Sequence, residues 1–338
     1  MITDRPVMSA TEFRATLKPL EVEEIIDLLV HRPLAHLIVV AVVSTPITPD
    51  QLTIVSMLVG VVGGLATLSS YVYGVSHLAL GGLLLIASAV VDCSDGQLAR
   101  LRKSSSVYGR MLDGSVDAVV QVSVVPAALL HVYWRHGGSS LGLASTAALP
   151  SLGASWSATT WLVIGTLAVV TGVIHTMLYD VFKNVYLRMT QPGKREGDED
   201  PEDVEAEYAA AKARGLTLID RFRYGMYRGY LPQQRAAMRA LDPYIPSRFR
   251  DFPAYSEALA ARFRARERGL MRGWSFYGIG THIFGLGVAM IFDRVEYYIL
   301  ARLFLSNGAL IVLIPMQRRA SREVFGPGGL VSQLGAAA

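Results

Sequence analysis

Four aspartates stand close together in a stretch of sequence that is otherwise apolar. Asp92 and Asp95 close one long apolar run, and Asp113 and Asp117 stand near the start of the next. Residues three or four apart share one helix face, so two helices joined by a turn can point these pairs toward each other. Ionisable side chains inside membrane segments cost roughly 2.5–3.5 kcal/mol each on insertion scales and usually serve function. We therefore expect an acidic functional site on two consecutive helices.

Clustered carboxylates repel one another unless cations lie among them. Ligand sets made only of oxygen suit hard divalent ions, and carboxylate-held metals at membrane surfaces most often serve phosphate chemistry. We interpret Asp92, Asp95 and Asp113 as ligands of Mg²⁺ or Mn²⁺, with two ions in the site. Asp117 is either the general base or a further ligand, because both roles use an ionised carboxylate near the metal. The alternative, a solvated hairpin with exposed acids, conflicts with the apolar flanks.

Small residues and one arginine accompany the aspartates on the same helices. Gly96 and Ala99 leave room for a ligand to lie against the backbone of the first helix, where larger side chains would block it. Gly109 would do the same on the second helix. Arg100 could reach a phosphate or the carboxylates at the rim, or could anchor the helix end at the membrane surface. These four residues are candidate ligand-binding positions on this stretch.

This motif resembles the signature of the CDP-alcohol phosphotransferases, also called CDP-alcohol phosphatidyltransferases. The matching positions are Asp92, Asp95, Gly96, Ala99, Arg100, Gly109, Asp113 and Asp117. The resemblance covers roughly residues 45–190 and implies a membrane enzyme that transfers the phosphoalcohol of a CDP-linked alcohol to a hydroxyl and releases CMP. It also implies a homodimer, metal binding by the first three aspartates, and the role of base or further ligand for the last. Under the resemblance, the nucleotide-binding candidates are Gly96, Ala99, Arg100 and Gly109.

The start of the first apolar span departs from the family pattern. The family often has Pro-Asn followed by Thr there, near the nucleotide, whereas this chain has Pro49, Asp50 and then Thr53. Asp50 and Thr53 are therefore further nucleotide-binding candidates that the resemblance suggests, with the amide of the family's asparagine replaced by a carboxylate.

Composition predicts a membrane protein. The chain has 338 residues, of which 51% are hydrophobic, and its mean hydropathy is +0.35. The single cysteine, Cys93, excludes an internal disulfide and is interpreted as a small buried residue. The first twenty residues contain no apolar core of a cleavable signal peptide.

The hydropathy pattern predicts an all-α, polytopic membrane protein with about six transmembrane helices. The expected spans are residues 53–70, 77–98, 107–133, 160–186, 274–292 and 295–315. Residues 21–43 carry acids, then one apolar face, then Pro33, which favours an amphipathic helix lying in the membrane interface. A shallow transmembrane helix is the alternative.

We divide the chain into four segments by pattern. They are an N-terminal tail with the interfacial helix (1–44), a catalytic membrane core (45–190), a charged helical insertion (191–272), and two last spans with a basic tail (273–338). The insertion interleaves arginines with aromatic residues, which suits anionic lipid head groups or a solvated helical hairpin. We expect no nucleic-acid partner in this membrane context.

Basic residues concentrate at the N-terminus, the 100–103 turn, the insertion and the C-terminal tail. The positive-inside rule places these segments, and both termini, in the cytoplasm. The four aspartates then lie at the cytoplasmic interface, where water-soluble CDP compounds and membrane lipids can both reach them.

The identity of the alcohols stays open. CDP-diacylglycerol with a polar acceptor such as inositol phosphate, glycerol phosphate or serine is one branch, and a CDP-linked head group with diacylglycerol is the other. Lys183, Arg188 and His175 on the fourth span are the acceptor-binding candidates, although His175 could simply be packed and the two cations could contact head groups. A cation transporter using the acids is a remote alternative, since no repeat is present and the acids lie at segment ends.

Overall fold

The structure, a computed structural model, describes residues 10–104, 107–138, 156–192 and 201–335. Within these ranges the chain is helical and contains no strand, which confirms the all-α prediction. The α-helices are α1 (Ala10–Ala15), α2 (Arg32–Val42), α3 (Pro49–Tyr73), α4 (Val75–Leu101), α5 (Val107–Tyr133), α6 (Ala158–Thr190), α7 (Pro201–Arg214), α8 (Leu218–Leu241), α9 (Glu257–Trp274), α10 (Ile279–Ile291), α11 (Val295–Leu300), α12 (Asn307–Phe325) and α13 (Leu330–Gly335). Single π-helical turns occupy Asp27–His31, Trp134–Gly138 and Ala301–Ser306.

Five helical stretches are long and apolar enough to cross a membrane, or six if one bent pair of helices forms a single span. The five are Pro49–Tyr73, Val75–Leu101, Leu112–Gly137, Ala158–Thr190 and Val295–Gln333, and the bent pair joins Glu257–Tyr277 to Ile279–Ile291 at an angle of 40°. The chain is therefore an integral, multi-pass membrane protein, and the prediction of about six spans is confirmed.

The fifth predicted span differs from the observed helices. Hydropathy predicts a new span beginning at Trp274, whereas α9 already ends there and α10 begins after a break at Gly278. At this break Glu24 accepts hydrogen bonds from the backbone N–H groups of Gly280 (3.2 Å) and Thr281 (2.7 Å). A helix start leaves such N–H groups without intrahelical partners, so a carboxylate from elsewhere in the chain allows the helix to restart here.

The N-terminal segment also differs in detail from the expected helix. A π-helical turn at Asp27–His31 runs directly into α2, and Pro33 lies in the first turn of α2. Proline is tolerated there because the first N–H groups of a helix have no intrahelical acceptor. Its position in the membrane interface stays a prediction.

The described contacts group the chain into two compact units. The first contains residues 1–172 and 279–305, and the second contains residues 173–278 and 306–338. This grouping is by contact, and the division into four functional segments stays a prediction.

In the first unit, α3, α4, α5 and α10 pack closely through glycines. A Cβ atom on Gly64 of α3 would lie 2.7 Å from the carbonyl oxygen of Ser123 on α5. A Cβ atom on Gly82 of α4 would lie 2.5 Å from the carbonyl oxygen of Gly287 on α10. Small residues at such crossings let membrane helices approach backbone to backbone. This packing fixes how α4 and α5 face each other.

The second unit contains the described part of the predicted insertion, which is helical as expected. Its core includes Trp274, which is fully buried and stacks on Phe182 with ring centroids 4.3 Å apart. The Trp274 indole donates to Gln317 at 2.9 Å, and Gln317 donates to Glu267 at 3.1 Å. These bonds join α9 to α12 inside this unit.

Candidate active site

Three of the four aspartates lie together where α4 meets α5. The carboxylates of Asp92, Asp95 and Asp113 each offer an oxygen, and these oxygens all lie within 4.8 Å of one another. We call these three residues the carboxylate cluster. Asp92 and Asp95 project from the last turns of α4, and Asp113 projects from the second turn of α5.

The chain's own donors leave two carboxylates of the cluster incompletely compensated. Asp92 and Asp113 each have one carboxylate oxygen that is buried and has no hydrogen-bond partner within the described part of the chain. Buried carboxylates without partners are unfavourable, because the anion has lost its water and gained nothing. A hard divalent cation bound by these oxygens would remove that penalty. The all-oxygen donor set therefore fits Mg²⁺ or Mn²⁺.

Thr53 fixes the orientation of one member of the cluster. This residue is 3% exposed on α3, and its hydroxyl donates a hydrogen bond to Asp95 Oδ2. The helix that carries it begins at a capping box between Thr48 and Gln51, with Pro49 in the first turn. The capping residues thus fix the first residue of α3, and with it the position from which the Thr53 hydroxyl contacts Asp95.

Asp117 lies one helical turn beyond Asp113 on the same face of α5. It is half-buried and does not belong to the compact group of three among the residues described. Asp117 therefore lies on the same helix face as Asp113 but outside the carboxylate cluster.

The nucleotide-binding candidates have varied surroundings. Gly96, Ala99, Gly109 and Asp50 are all half-buried. A Cβ atom on Gly96 would lie 3.4 Å from a terminal nitrogen of Arg100. Arg100 extends over that glycine, and its Nε donates to the carbonyl oxygen of Thr16. Arg100 thus contacts the N-terminal segment, a contact that its position in the motif does not reveal.

A neighbouring arginine shapes the loop before α3. The terminal nitrogen Nη2 of Arg102 donates to the carbonyl oxygens of Val42 (3.0 Å), Val43 (2.9 Å) and Thr45 (2.8 Å). These carbonyls belong to the last residue of α2 and to the loop after it, where intrahelical donors run out. Arg102 is therefore more than a charge at the membrane surface, because it ties the loop to the end of α4.

Sequence reasoning missed the role of Arg32. This residue is 5% exposed, and its Nη1 donates to the carbonyl oxygen of Cys93 at 3.1 Å. Its Nε and Nη2 contact Glu23 Oε2 at 3.4 and 3.3 Å. The one signal in the sequence was the position of this arginine between an acidic run and an apolar run. The amphipathic pattern of that segment predicts a place at the membrane surface and does not indicate a contact with α4. Arg32 instead docks the N-terminal segment on α4 beside Asp92.

The acceptor-binding candidates belong to the second unit. His175 is fully buried, and its Nε2 lies 3.1 Å from Asn307 Oδ1, with its ring edge-on to Tyr277. Lys183 pairs with Asp180. Arg188 is half-buried near the end of α6. A role for His175, Lys183 or Arg188 in binding an acceptor stays a prediction.

A helical multi-pass membrane protein with a carboxylate cluster between two spans is the class that these observations define. Residues 46–190 match the family model of the CDP-alcohol phosphatidyltransferases, so the chain carries a CDP-alcohol phosphatidyltransferase domain over this range. The resemblance carried by the motif is confirmed for that part of the chain.

Curated relatives share parts of this region. The chain is 31% identical over 109 residues to a bifunctional IPC transferase and DIPP synthase of Rubrobacter xylanophilus, covering 32% of this chain and 22% of that protein. It is 34% identical over 82 residues to an archaetidylinositol phosphate synthase of Pyrococcus horikoshii, covering 24% of this chain and 40% of that protein. The chain thus spans less than half of the length of each of these two relatives.

Proposed function

We propose that this protein transfers the phosphatidyl group of CDP-diacylglycerol to an acceptor hydroxyl and releases CMP. The observation that carries the proposal is the carboxylate cluster, with its two unpartnered buried oxygens, inside a CDP-alcohol phosphatidyltransferase domain. In the reaction the acceptor oxygen bonds to the phosphorus of the phosphatidyl group. The bond from that phosphorus to the oxygen of CMP breaks, and the acceptor loses its proton.

The chain's own residues divide this work. Mg²⁺ or Mn²⁺ held by Asp92, Asp95 and Asp113 would neutralise the pyrophosphate and stabilise CMP as the leaving group. Asp117 accepts the proton of the acceptor hydroxyl, a role that its separation from the compact group supports. Thr53 holds the Asp95 carboxylate in a fixed orientation.

The surrounding residues bind the nucleotide. Gly96, Ala99 and Gly109 leave space for it beside the backbones of α4 and α5. Arg100, at the end of α4, would bind a phosphate of the nucleotide. Together these contacts would hold the scissile bond next to the carboxylate cluster.

The acceptor we favour is a phosphorylated polyol such as inositol phosphate. One relative is named an archaetidylinositol phosphate synthase, and that product name supports a phosphoinositol acceptor here. Lys183 and Arg188 would bind the acceptor phosphate, and His175 would bind its polar groups. We further propose that the active site faces the cytoplasm and that the enzyme is a homodimer.

A CMP-release screen tests the proposal. Purified protein in lipid nanodiscs would be given Mg²⁺ or Mn²⁺, with CDP-diacylglycerol or CDP-linked head groups as donors. The acceptors would be inositol phosphate, glycerol phosphate, serine and diacylglycerol. We expect CMP only when CDP-diacylglycerol meets a polar acceptor. Turnover confined to CDP-linked head groups with diacylglycerol would replace the proposed donor, and an absence of CMP with every pair would overturn the proposal.

A further inference from the structure

Helices α9 and α12 pack side by side within the second unit and run in opposite directions. A Cβ atom on Gly273 would lie 3.2 Å from the Leu313 side chain, near the end of α9 and in the first half of α12. Earlier on α9, the ring of Phe263 lies 6.4 Å from that of Phe325, the last residue of α12. Contacts that move back along α9 thus move forward along α12, so the two helices are antiparallel.

Three arginines lie on one side of this helix pair. The Gln317 amide donates to Glu267 at 3.1 Å, so these two residues face each other across the contact. Arg268 and Arg318 each follow one of them and project about 100° further around their own helix. Because the helices are antiparallel, both rotations lead to the same side, and Arg322 joins them one helical turn after Arg318. We call Arg268, Arg318 and Arg322 the basic face.

The basic face carries charge that no acid balances at the surface. All three arginines are exposed, and none of them forms an ion pair with another described residue. Arg318 interacts electrostatically with Asp242, but that acid is only 1% exposed and its carboxylate already accepts from the Tyr244 N–H at 3.2 Å. The guanidinium groups therefore remain available to an anion outside the chain.

The opposite side of the same helix pair has its own acid. Glu323 pairs there with both Arg266 and Arg319. Arg262 lies one turn before Arg266 on that side and is exposed. An external anion gains less on this side, because a carboxylate of the chain already lies between the guanidinium groups.

The stripe of α12 that ends in the basic face begins with apolar side chains. Ile311, Pro315, Arg318 and Arg322 are i, i+4, i+7 and i+11, so they follow one another along one side of the helix. Ile311 is 76% exposed and Pro315 is exposed as well, within a stretch apolar enough to cross a membrane. Arg318 lies only about 4.5 Å further along the axis than Pro315. The stripe thus passes directly from a surface suited to acyl chains to one suited to anionic head groups.

We propose that the basic face and the apolar part of this stripe bind one phospholipid with an anionic head group. The lipid phosphate would accept hydrogen bonds from Arg268, Arg318 and Arg322, because guanidinium groups match phosphate oxygens. An acyl chain would lie along α12 over Ile311. Basic side chains at the edge of a hydrocarbon-facing surface are typical of anionic-lipid binding. The apolar part of the stripe selects a lipid over a soluble phosphate, and the inference does not depend on the proposed transfer reaction.

Phosphatidylglycerol is the probe that tests this site. The full chain in neutral detergent would be mixed with phosphatidylglycerol or phosphatidylcholine, and native mass spectrometry would count the lipids bound to each chain. We expect one phosphatidylglycerol per chain, bound about tenfold more tightly than phosphatidylcholine. The double variant Arg318→Gln/Arg322→Gln should weaken phosphatidylglycerol binding about 10–30-fold. The matched control Arg262→Gln/Arg319→Gln removes the same charge from the opposite side and should stay within about twofold of the wild type.

Further measurements separate this inference from misfolding and from the proposed reaction. Phosphatidylglycerol should raise the unfolding temperature of the wild type but not of the Arg318→Gln/Arg322→Gln variant, and the two should unfold alike without lipid. Arg268→Gln, on the other helix, should weaken binding about fivefold. Asp113→Asn should lose CMP release yet bind phosphatidylglycerol as the wild type does.

Three outcomes would overturn the proposal. One is equal affinity of the wild-type protein for phosphatidylglycerol and phosphatidylcholine. Another is an equal loss of binding in Arg318→Gln/Arg322→Gln and its matched control, which would indicate a general attraction to positive charge. The third is displacement of the bound lipid by glycerol phosphate, which would indicate a site for soluble anions.

Discussion

Helix α5 carries buried charged groups near both ends, and the two groups differ in how their charges are balanced. Near its start, Asp113 faces Asp92 and Asp95, so three acids meet. From its end, His131 and the following Arg135 and His136 meet Asp293 and Glu296. We call these last five residues the distal network. Asp117 and His131 are separated by about 21 Å along the helix axis.

Every carboxylate of the distal network has a basic partner. Arg135 Nη1 lies 2.5 Å from Asp293 Oδ1, and His131 Nε2 lies 3.5 Å from the same oxygen. Glu296 Oε1 lies 3.1 Å from His136 Nε2 and 3.5 Å from Arg135 Nε. The Arg135 guanidinium and its histidine neighbours therefore satisfy both acids without help from outside the chain.

The comparison separates structural charge from functional charge in a membrane protein. A buried charge is not by itself a sign of chemistry, because the distal network is closed and serves to join α5 to the α10–α11 turn. Buried carboxylate oxygens without a hydrogen-bond partner, as in the carboxylate cluster, indicate a ligand that the chain itself does not supply. The predictions below test that difference, beginning with the largest effect.

Removing one charge from the carboxylate cluster should end turnover without harming the fold. We expect Asp92→Asn and Asp113→Asn each to lower CMP release more than about 1,000-fold, because a metal ligand and its negative charge are lost. Without divalent ions, each variant should unfold at a temperature equal to or above that of the wild type, since the acids repel one another. CMP assays and thermal unfolding measure the two effects, and Asp251→Asn, an exposed aspartate, is the control. Retained turnover in both variants would exclude the metal assignment.

Breaking the distal network should lower the stability of the fold and leave turnover nearly unchanged. Arg135→Met leaves Asp293 and Glu296 short of their main cation, so the free energy of unfolding should fall by about 3–5 kcal/mol. Turnover per folded molecule should stay within about twofold of wild type. Arg228→Met is the matched control, because Arg228 pairs with Glu205 in an exposed bridge that contributes only about 0–1 kcal/mol. Equal stability of the two variants would contradict a closed structural network.

The smallest effect concerns the residue that orients the cluster. Thr53→Val removes the hydroxyl that donates to Asp95, and we expect metal affinity or CMP release to fall by about 10–100-fold. Thr53→Ser keeps the hydroxyl and should stay within about threefold of the wild type. The Mg²⁺ concentration that gives half-maximal CMP release distinguishes the variants. Identical values for Val and Ser would mean that the hydrogen bond does not position Asp95.

Sequence predicted the part of the site that is local and periodic. Asp92 and Asp95 share a helix face with fixed spacing, and Asp113 follows across a short turn, so their meeting needs little beyond helix geometry. Contacts between distant residues were beyond the same reasoning. Arg32 reaches Cys93 across 61 residues, and no spacing rule connects them.

The break between α9 and α10 shows a second limit. The apolar run after Trp274 predicts one span over residues 274–292, since hydropathy records burial in lipid and not where a helix must restart. The restart depends on Glu24, which supplies acceptors to N–H groups from the other end of the chain. Recognition of the acceptor is a third limit of sequence reasoning. A single cation such as Lys183 or Arg188 near the end of a span is explained equally well by an acceptor phosphate and by lipid head groups.

The bonds from Glu24 to α10 have a consequence for how the protein is made. Their partners are 256 and 257 residues apart in sequence, so the carboxylate leaves the ribosome long before the N–H groups that it will cap. Until the α10 segment has been inserted, Glu24 cannot make these bonds, and the N-terminal segment lacks this anchor. The final docking of this segment beside the carboxylate cluster is therefore a late event in biogenesis, completed after most of the spans are in place.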